Sequence, residues 1–145
     1  MKYQNEKAMV IALRVALGFI LLWAFVDKLF GFGFSTARDK AWIYGSSPTL
    51  GYLSNATYGP FAFIFQSIAG NTIIDVLFMA SLLFIGITLM SGFGVKYGSF
   101  VGAILMFLIW ISRFPPQTNP IIDEHVIYII IFIYLLIKDK NKEGK

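Results

Sequence analysis

The sequence contains no cysteine and a single histidine, His125. Without cysteine the chain forms no disulfide, offers no thiolate to a metal ion and holds no cysteine-ligated iron–sulfur cluster. A single histidine also excludes a haem that is ligated by two histidines of the same chain. We therefore predict no metal, haem or iron–sulfur cluster within this chain.

Charged residues are also scarce, at 14% of the 145 residues, whereas soluble domains carry about 25%. Hydrophobic residues make up 57% of the chain and aromatic residues 17%. Apolar runs of about 18 residues or more recur, and each is long enough to cross a bilayer. The composition predicts an integral membrane protein in contact with lipid. Because positive charge in such a protein usually marks its cytoplasmic side, the net charge of +4 does not indicate nucleic-acid binding.

Four apolar segments predict an all-α fold, a bundle of four transmembrane helices in a single domain. The predicted spans lie at about residues 8–30, 73–90, 97–111 and 121–137. Residues 31–72 are broken by glycine and proline and are predicted to be extracytoplasmic. Two short interfacial helices are expected within them, at about residues 36–44 and 60–69.

Lysine and arginine residues are distributed unevenly between the two ends of these spans. Eight lie near the termini and the turn at residues 91–96, and four lie on the other side. Since an excess of positive charge marks the cytoplasmic side, we predict a multi-pass protein of the cell membrane with both termini in the cytoplasm. Arg14, about two turns into the first span, is expected to extend toward the cytoplasmic headgroups.

Residues 113–128 concentrate polar side chains between two apolar runs. Asn119 and Pro120 are typical of a helix start, and the acids that follow them complement the helix dipole. Capping accounts for Asn119 and the acids, but not for Arg113, His125 and Tyr128 together. We therefore interpret this stretch as part of a functional site.

Two charged residues, Asp27 and Lys28, lie near the outer end of the first predicted span. A charge near hydrocarbon is costly and tends to find a partner or a cavity. Matching signs at matching depth predict that Asp27 pairs with Arg113 and that Lys28 pairs with Asp123 or Glu124. Such pairs either line a site or only fasten helix ends together. The sequence leaves open which of Asp123 and Glu124 faces the interior, although Glu124 shares a helix face with the residue four positions later.

Several stretches resemble membrane proteins of the DoxX/DoxD type. Residues 13–18 and 23–29 resemble the first span of that family. Residues 51–53 followed by 59–61 resemble its outer segment. Residues 119–128, which read Asn-Pro-Ile-Ile-Asp-Glu-His-Val-Ile-Tyr, resemble its last-span signature. The resemblance covers nearly the whole chain and implies a four-span bundle.

The resemblance also implies a link to the oxidation of sulfur compounds. DoxD-type members are the large membrane subunit of a thiosulfate:quinone oxidoreductase, which works with a second subunit, DoxA. Other relatives have different roles, so the resemblance implies the fold more firmly than the function. It leads us to expect quinone-linked oxidation of thiosulfate or a related sulfur anion in an extracytoplasmic polar pocket. Because the chain has no redox centre of its own, electrons must pass directly from substrate to quinone or through a DoxA-like or other redox partner.

If the protein has this function, the chemistry of each candidate side chain indicates its role. Cationic side chains would hold the oxyanion, histidine or a carboxylate would take protons, and aromatic rings would form a wall for a quinone. The candidate catalytic residues are Asp27, Lys28, Arg113, Asp123, Glu124 and His125. The candidate quinone-binding residues are Trp23, Phe30, Trp110, Phe114 and Tyr128.

Two other function classes remain open. One is a non-enzymatic scaffold or assembly subunit of a redox complex. In that case Gly94, Gly98 and Gly102, which recur every fourth residue, would let a helix of this chain or of a partner approach closely. The other is a small lipid-binding, quinone-binding or transport protein, although four spans without an inverted repeat are few for a transporter. A homo-oligomer is compatible with each class.

Overall fold

The computed structural model describes the backbone of residues 2–143 and the side chains of residues 4–139. In this range the chain contains no strand, and helices take up 72% of the sequence, which confirms the all-α prediction. The α-helices are α1 (Lys2–Phe30), α2 (Leu50–Asn55), α3 (Ala62–Ser67), α4 (Thr72–Ser91), α5 (Val95–Ile111) and α6 (Glu124–Glu143). Two 3-10 turns, Arg38–Lys40 and Trp42–Tyr44, precede α2 and occupy the place of the first expected interfacial helix.

The ends of α4 follow from its flanking residues. Asn71 caps the start, because its side chain accepts a hydrogen bond of 2.9 Å from the backbone N–H of Ile73. The helix ends at Gly92, whose positive φ of 80° lets its N–H donate to the carbonyl of Thr88. Gly94, with φ 69°, directly precedes α5. A short turn therefore joins α4 to α5 and makes them antiparallel neighbours.

The start of α6 differs from the expected position. Asn119, the predicted cap, accepts hydrogen bonds of 2.9 and 2.7 Å from the N–H groups two and three residues later and closes a turn ahead of the helix. Asp123 is the cap, because its Oδ1 accepts from the N–H groups of His125 (3.0 Å) and Val126 (3.4 Å). The prediction of a cap at Asn119 is therefore wrong. Both residues are good caps, and the sequence does not show that a turn intervenes.

The long helices pack in chain order. α1 lies along α4, α4 along α5 and α5 along α6, whereas α1 and α6 barely touch. Gly98 of α5 lies against Thr88 of α4, and Gly102 lies against the ring of Phe132 on α6. The prediction that Gly98 and Gly102 let a neighbouring helix approach closely is confirmed. The helices that approach, α4 and α6, belong to this chain.

The start of α1 and the end of α6 lie at the same end of the helices. Lys138 of α6 forms an ion pair with Glu6 of α1. The backbone N–H of Lys96, at the start of α5, donates to the Asp139 carboxylate over 3.0 Å. The α4–α5 turn therefore lies at this end too, and the connections at residues 31–71 and 112–123 lie at the opposite end, called here the outer end.

The helices present much of their apolar surface outward. Two helices of the described chain are long and apolar enough to cross a membrane, Gln4–Phe30 of α1 and Thr72–Ser91. Only 17% and 39% of their most apolar windows are buried within the protein. α5 is apolar but has 17 residues, and α6 carries charged residues near both ends. Of the four predicted spans, two therefore meet the requirements of length and composition.

Candidate functional site

Asp27, in the last turn of α1, binds the chain segment that follows its own helix. Its side chain is 1% exposed. One carboxylate oxygen accepts from the N–H of Phe34 (3.2 Å), and the other accepts from the N–H and the hydroxyl of Ser35 (both 2.8 Å). Gly31, with φ 69°, lets the chain turn back toward the end of α1. Any other residue would place a Cβ only 2.7 Å from the Cα of Arg38. Asp27 thus holds the loop after α1 against the helix end.

The predicted ion pairs of Asp27 and Lys28 are wrong. Asp27 and Arg113 do not lie within 4 Å of each other, and neither do Lys28 and either of its proposed partners, Asp123 and Glu124. The Nζ of Lys28 instead lies 6.0 Å from the centre of the Phe78 ring on α4. Asp27 instead accepts hydrogen bonds from backbone N–H groups and a hydroxyl of the loop that follows α1. The prediction compared only the sign and depth of charged side chains, so it could not find these uncharged donors.

Asp75, in the first turn of α4, is a second buried carboxylate, and the sequence analysis did not select it. It is 4% exposed. One of its oxygens accepts from the hydroxyl of Ser47 (2.8 Å) and from the hydroxyl and N–H of Thr49 (2.5 and 3.3 Å). An acid in the first turn also suits the helix dipole. The feature of the sequence that could have identified Asp75 is that it is a single carboxylate at the start of an otherwise apolar span.

Tyr52 of α2 joins the first connection to the end of α5. Its hydroxyl lies 2.9 Å from the Oγ of Ser112, which donates to the carbonyl of Ile109 over 2.7 Å. The N–H of Tyr58 donates to the carbonyl of Ser112 over 3.2 Å. Burial raises the pKa of the Tyr52 phenol, and the Ser112 hydrogen bond and the charge of Arg113 oppose that rise. The phenol is therefore neutral at physiological pH.

Arg113 follows directly and has no anionic partner among the described residues. Its guanidinium carbon lies 5.7 Å from the centre of the Tyr58 ring. The Nε is enclosed and has no hydrogen-bond partner among the described residues. No carboxylate of the described side chains lies within 4 Å of the guanidinium. Gly59, with φ 83°, packs against the carbonyl of Phe114, which brings the Tyr58 segment close to Arg113.

Asp123 and His125 form a pair at the start of α6. The Nδ1 of His125 lies 2.9 Å from the Oδ2 of Asp123. Burial would raise the pKa of Asp123, but the hydrogen bonds from His125 and the Val126 N–H outweigh it, so the pKa of Asp123 is lowered. Glu124 is exposed, so Asp123 is the acid that faces inward.

The three residues Asp123, Glu124 and His125 each place one potential metal-ligand atom within 4.8 Å of the others. Hydrogen bonds within the set already occupy Asp123, and Glu124 points to the surface. This is the geometry of a helix cap, and we assign no metal to it.

Four of the candidate quinone-binding residues fall into two aromatic groups. Trp23 lies 6.1 Å from Phe32 between ring centres, and Phe30 lies 5.7 Å from Phe32. Trp110 lies 5.1 Å from Phe114 in a separate group, and the described residues show no ring contact between the two groups. A wall for a quinone made by these rings stays a prediction.

Tyr128 lies apart from both aromatic groups. It lines a crevice with about 20 Å³ of space together with Leu17, Ile20, Leu21, Met106 and Phe132. A volume of this size is near that needed for a single water molecule and is too small for a quinone ring. This crevice therefore does not hold a quinone, and quinone binding by this chain stays a prediction.

No protein-family model, curated protein or solved structure matches the chain. The resemblance to DoxX/DoxD-type proteins rests on the sequence motifs alone.

Proposed function

We propose that this protein is a four-span membrane protein whose outer face binds a small oxyanion at Arg113. The spans would be the four long helices, with both chain ends in the cytoplasm and the Tyr52–Arg113 region outside. The outward-facing apolar surface of α1 and α4 supports insertion in lipid. The ion pair between Glu6 and Lys138 supports a common side for the two ends.

The observation that carries the anion-binding proposal is the unpaired guanidinium of Arg113. A partly enclosed arginine normally has a carboxylate or several carbonyl groups as acceptors, and an enclosed N–H without one requires an explanation. The Tyr58 ring holds the guanidinium in place but supplies no negative charge. An oxyanion would supply both the charge and two acceptor oxygens for the fork of the guanidinium.

The neighbouring side chains suit such a ligand. The neutral phenol of Tyr52 lies in the same region and feels the charge of Arg113. A neutral phenol adds no negative charge that would repel an anion at Arg113. The ring of His125 is held in place by Asp123 at the start of α6.

The resemblance makes thiosulfate or a related sulfur anion the proposed ligand class. Oxidation of that anion would require an electron acceptor on a second subunit, such as a DoxA-like partner, since the chain itself holds no redox centre. The proposal assigns binding to this chain and leaves electron transfer to the partner.

The test is thiosulfate binding by the purified full-length protein in detergent, measured by titration calorimetry. Arg113→Gln should weaken binding by about tenfold or more, because it removes the charge and the fork. Arg113→Lys should recover part of the affinity, since it restores the charge alone. Arg38→Gln is the matched control, because Arg38 is an exposed cation of the first connection. Equal binding by Arg113→Gln and wild type would refute the site.

A scaffold function is the second candidate, and the hydrogen bonds of Asp27 and Asp75 favour it. Both carboxylates accept hydrogen bonds that fasten segments of the first connection to helix ends. A scaffold predicts that a partner subunit co-purifies and that the purified protein does not bind thiosulfate.

A further inference from the structure

Arg14, in the first half of α1, is a second arginine without an anionic partner in the part of the chain that the structure describes. Its guanidinium lies against Gly92, the residue that ends α4. Its Nε is enclosed and has no hydrogen-bond partner among the described residues. No described carboxylate lies within 4 Å of it. The positive φ of Gly92 and its missing side chain create the space that the guanidinium occupies.

An apolar crevice begins one turn further along α1 than Arg14, where α1 and α6 barely touch. Leu17, Ile20 and Leu21 of α1 form one side, and the other side consists of Met106 of α5 with Tyr128 and Phe132 of α6. Its exposed lining is entirely apolar. Ile20 is 47% exposed, so the crevice opens to the outside of the helices.

The arginine and the crevice are aligned along one helix face. Leu17 and Leu21 follow Arg14 by three and seven positions, and residues at this spacing lie on the same side of a helix. They begin about 5 Å and about 10 Å further along the axis. Arginine side chains in helices point toward the N-terminus, so the guanidinium lies on the side of the chain ends and the crevice lies toward the middle of the span.

We propose that this arrangement binds one anionic phospholipid of the cytoplasmic leaflet. The phosphate would accept from Arg14 beside Gly92, and one acyl chain would lie on the outer surface over the mouth of the crevice, against the exposed Ile20. The inference rests on the membrane placement proposed above but not on anion binding at Arg113. A free phosphate would satisfy Arg14 and leave the apolar crevice uncovered, whereas a lipid satisfies both.

The test uses native mass spectrometry of the full-length protein in detergent. The lipids are phosphatidylglycerol and phosphatidylcholine with identical acyl chains. Wild type should retain one phosphatidylglycerol at least about tenfold more tightly than phosphatidylcholine. Arg14→Gln should lower the retention of phosphatidylglycerol to that of phosphatidylcholine. Lys40→Gln removes one exposed positive charge at the outer end and should behave as wild type.

A second variant tests the acyl-chain half of the site without changing the arginine. Ile20→Trp adds bulk at an exposed wall of the crevice and should lower phosphatidylglycerol retention by about tenfold through steric exclusion of the chain. This variant also keeps the test decisive if Arg14→Gln does not fold. Millimolar inorganic phosphate should leave lipid retention unchanged in wild type.

Three results would overturn the proposal. These are equal retention of the two lipids, full retention in both Arg14→Gln and Ile20→Trp, and displacement of the lipid by inorganic phosphate. Arg113→Gln should retain the lipid fully, which separates this site from the outer anion site. Release of the protein from membranes by alkaline extraction would instead contradict the membrane placement on which both proposals rest.

Discussion

At the scale of single residues, the outer end is held together by carboxylates that bind loops. Asp27 and Asp75 are both buried, and each accepts three hydrogen bonds from a segment of the first connection. A buried carboxylate is costly unless donors surround it, and hydrogen bonds to a charged group are stronger than those between neutral groups. Backbone N–H groups and hydroxyls thus satisfy these charges without an ion pair.

Asp27→Asn tests this role of the carboxylate. Asparagine has nearly the same size as aspartate, but an NH₂ group replaces one of the two acceptor oxygens. This NH₂ group would face N–H donors of Phe34 or Ser35 and could not accept from them. We expect a loss of about 1–3 kcal/mol in the free energy of unfolding, measured by chemical denaturation in detergent. Asp39→Asn is the control, because Asp39 is exposed and should change the stability by less than about 0.5 kcal/mol. Equal effects of the two substitutions would contradict a structural role for Asp27.

The same residues show where inference from the sequence stops. The stretch at 113–128 contains Arg113 and Asp123, whose charges both act on the pKa of the Tyr52 phenol, and its functional role stays a prediction. The partner of each charge was not predictable, because Asp27 is satisfied by a loop whose path depends on the turn at Gly31. Asp75 was passed over because no opposite charge lies near it in the sequence.

At the scale of helices, glycine determines how closely α1 and α4 approach. A Cβ at Gly86 would lie 2.7 Å from the Cβ and 2.9 Å from the Cα of Leu22. A Cβ at Gly18 would lie 2.9 Å from the Cβ of Leu89. Both glycines lie on the shared face, so the two backbones approach without an intervening side chain, as is common for helices in membranes.

Gly86→Ala tests this packing. The added methyl group meets the backbone of α1, so the helices must separate, and we expect destabilisation of about 1–3 kcal/mol. Gly51→Ala is the matched control, because Gly51 lies in α2 with nothing within 4 Å of an added Cβ. It should be neutral or stabilising by up to about 1 kcal/mol, since alanine favours a helix. Thermal unfolding in detergent compares the two variants, and similar melting temperatures would contradict the close approach of α1 and α4.

Helix positions were easier to predict than helix ends. The span expected at about 73–90 lies almost entirely within α4, because hydropathy and length are properties of the sequence itself. The start of α6 was misplaced, since Asn119 and Asp123 are both suitable caps and only the fold selects between them. The pairing of Gly98 with α4 and of Gly102 with α6 also depends on the arrangement of the helices.

At the scale of the whole molecule, charge and geometry indicate the same orientation. The ion pair between Glu6 and Lys138 and the hydrogen bond from Lys96 to Asp139 gather both chain ends and the α4–α5 turn. Most of the lysine and arginine residues lie at this end, which would therefore face the cytoplasm. The Arg113 region would then face outward, and Arg14 would lie near the inner headgroups. Both proposed sites depend on this orientation.

Cysteine labelling tests the orientation most directly, because the natural chain contains no cysteine and each introduced thiol is the only one. Ser54→Cys places a thiol on α2 at the outer end, and Ser91→Cys places one at the end of α4, both at exposed positions. A membrane-impermeant maleimide applied to intact cells should label the Ser54→Cys variant and should label the Ser91→Cys variant only after permeabilisation. Labelling of both variants in intact cells, or the reverse pattern, would contradict this orientation.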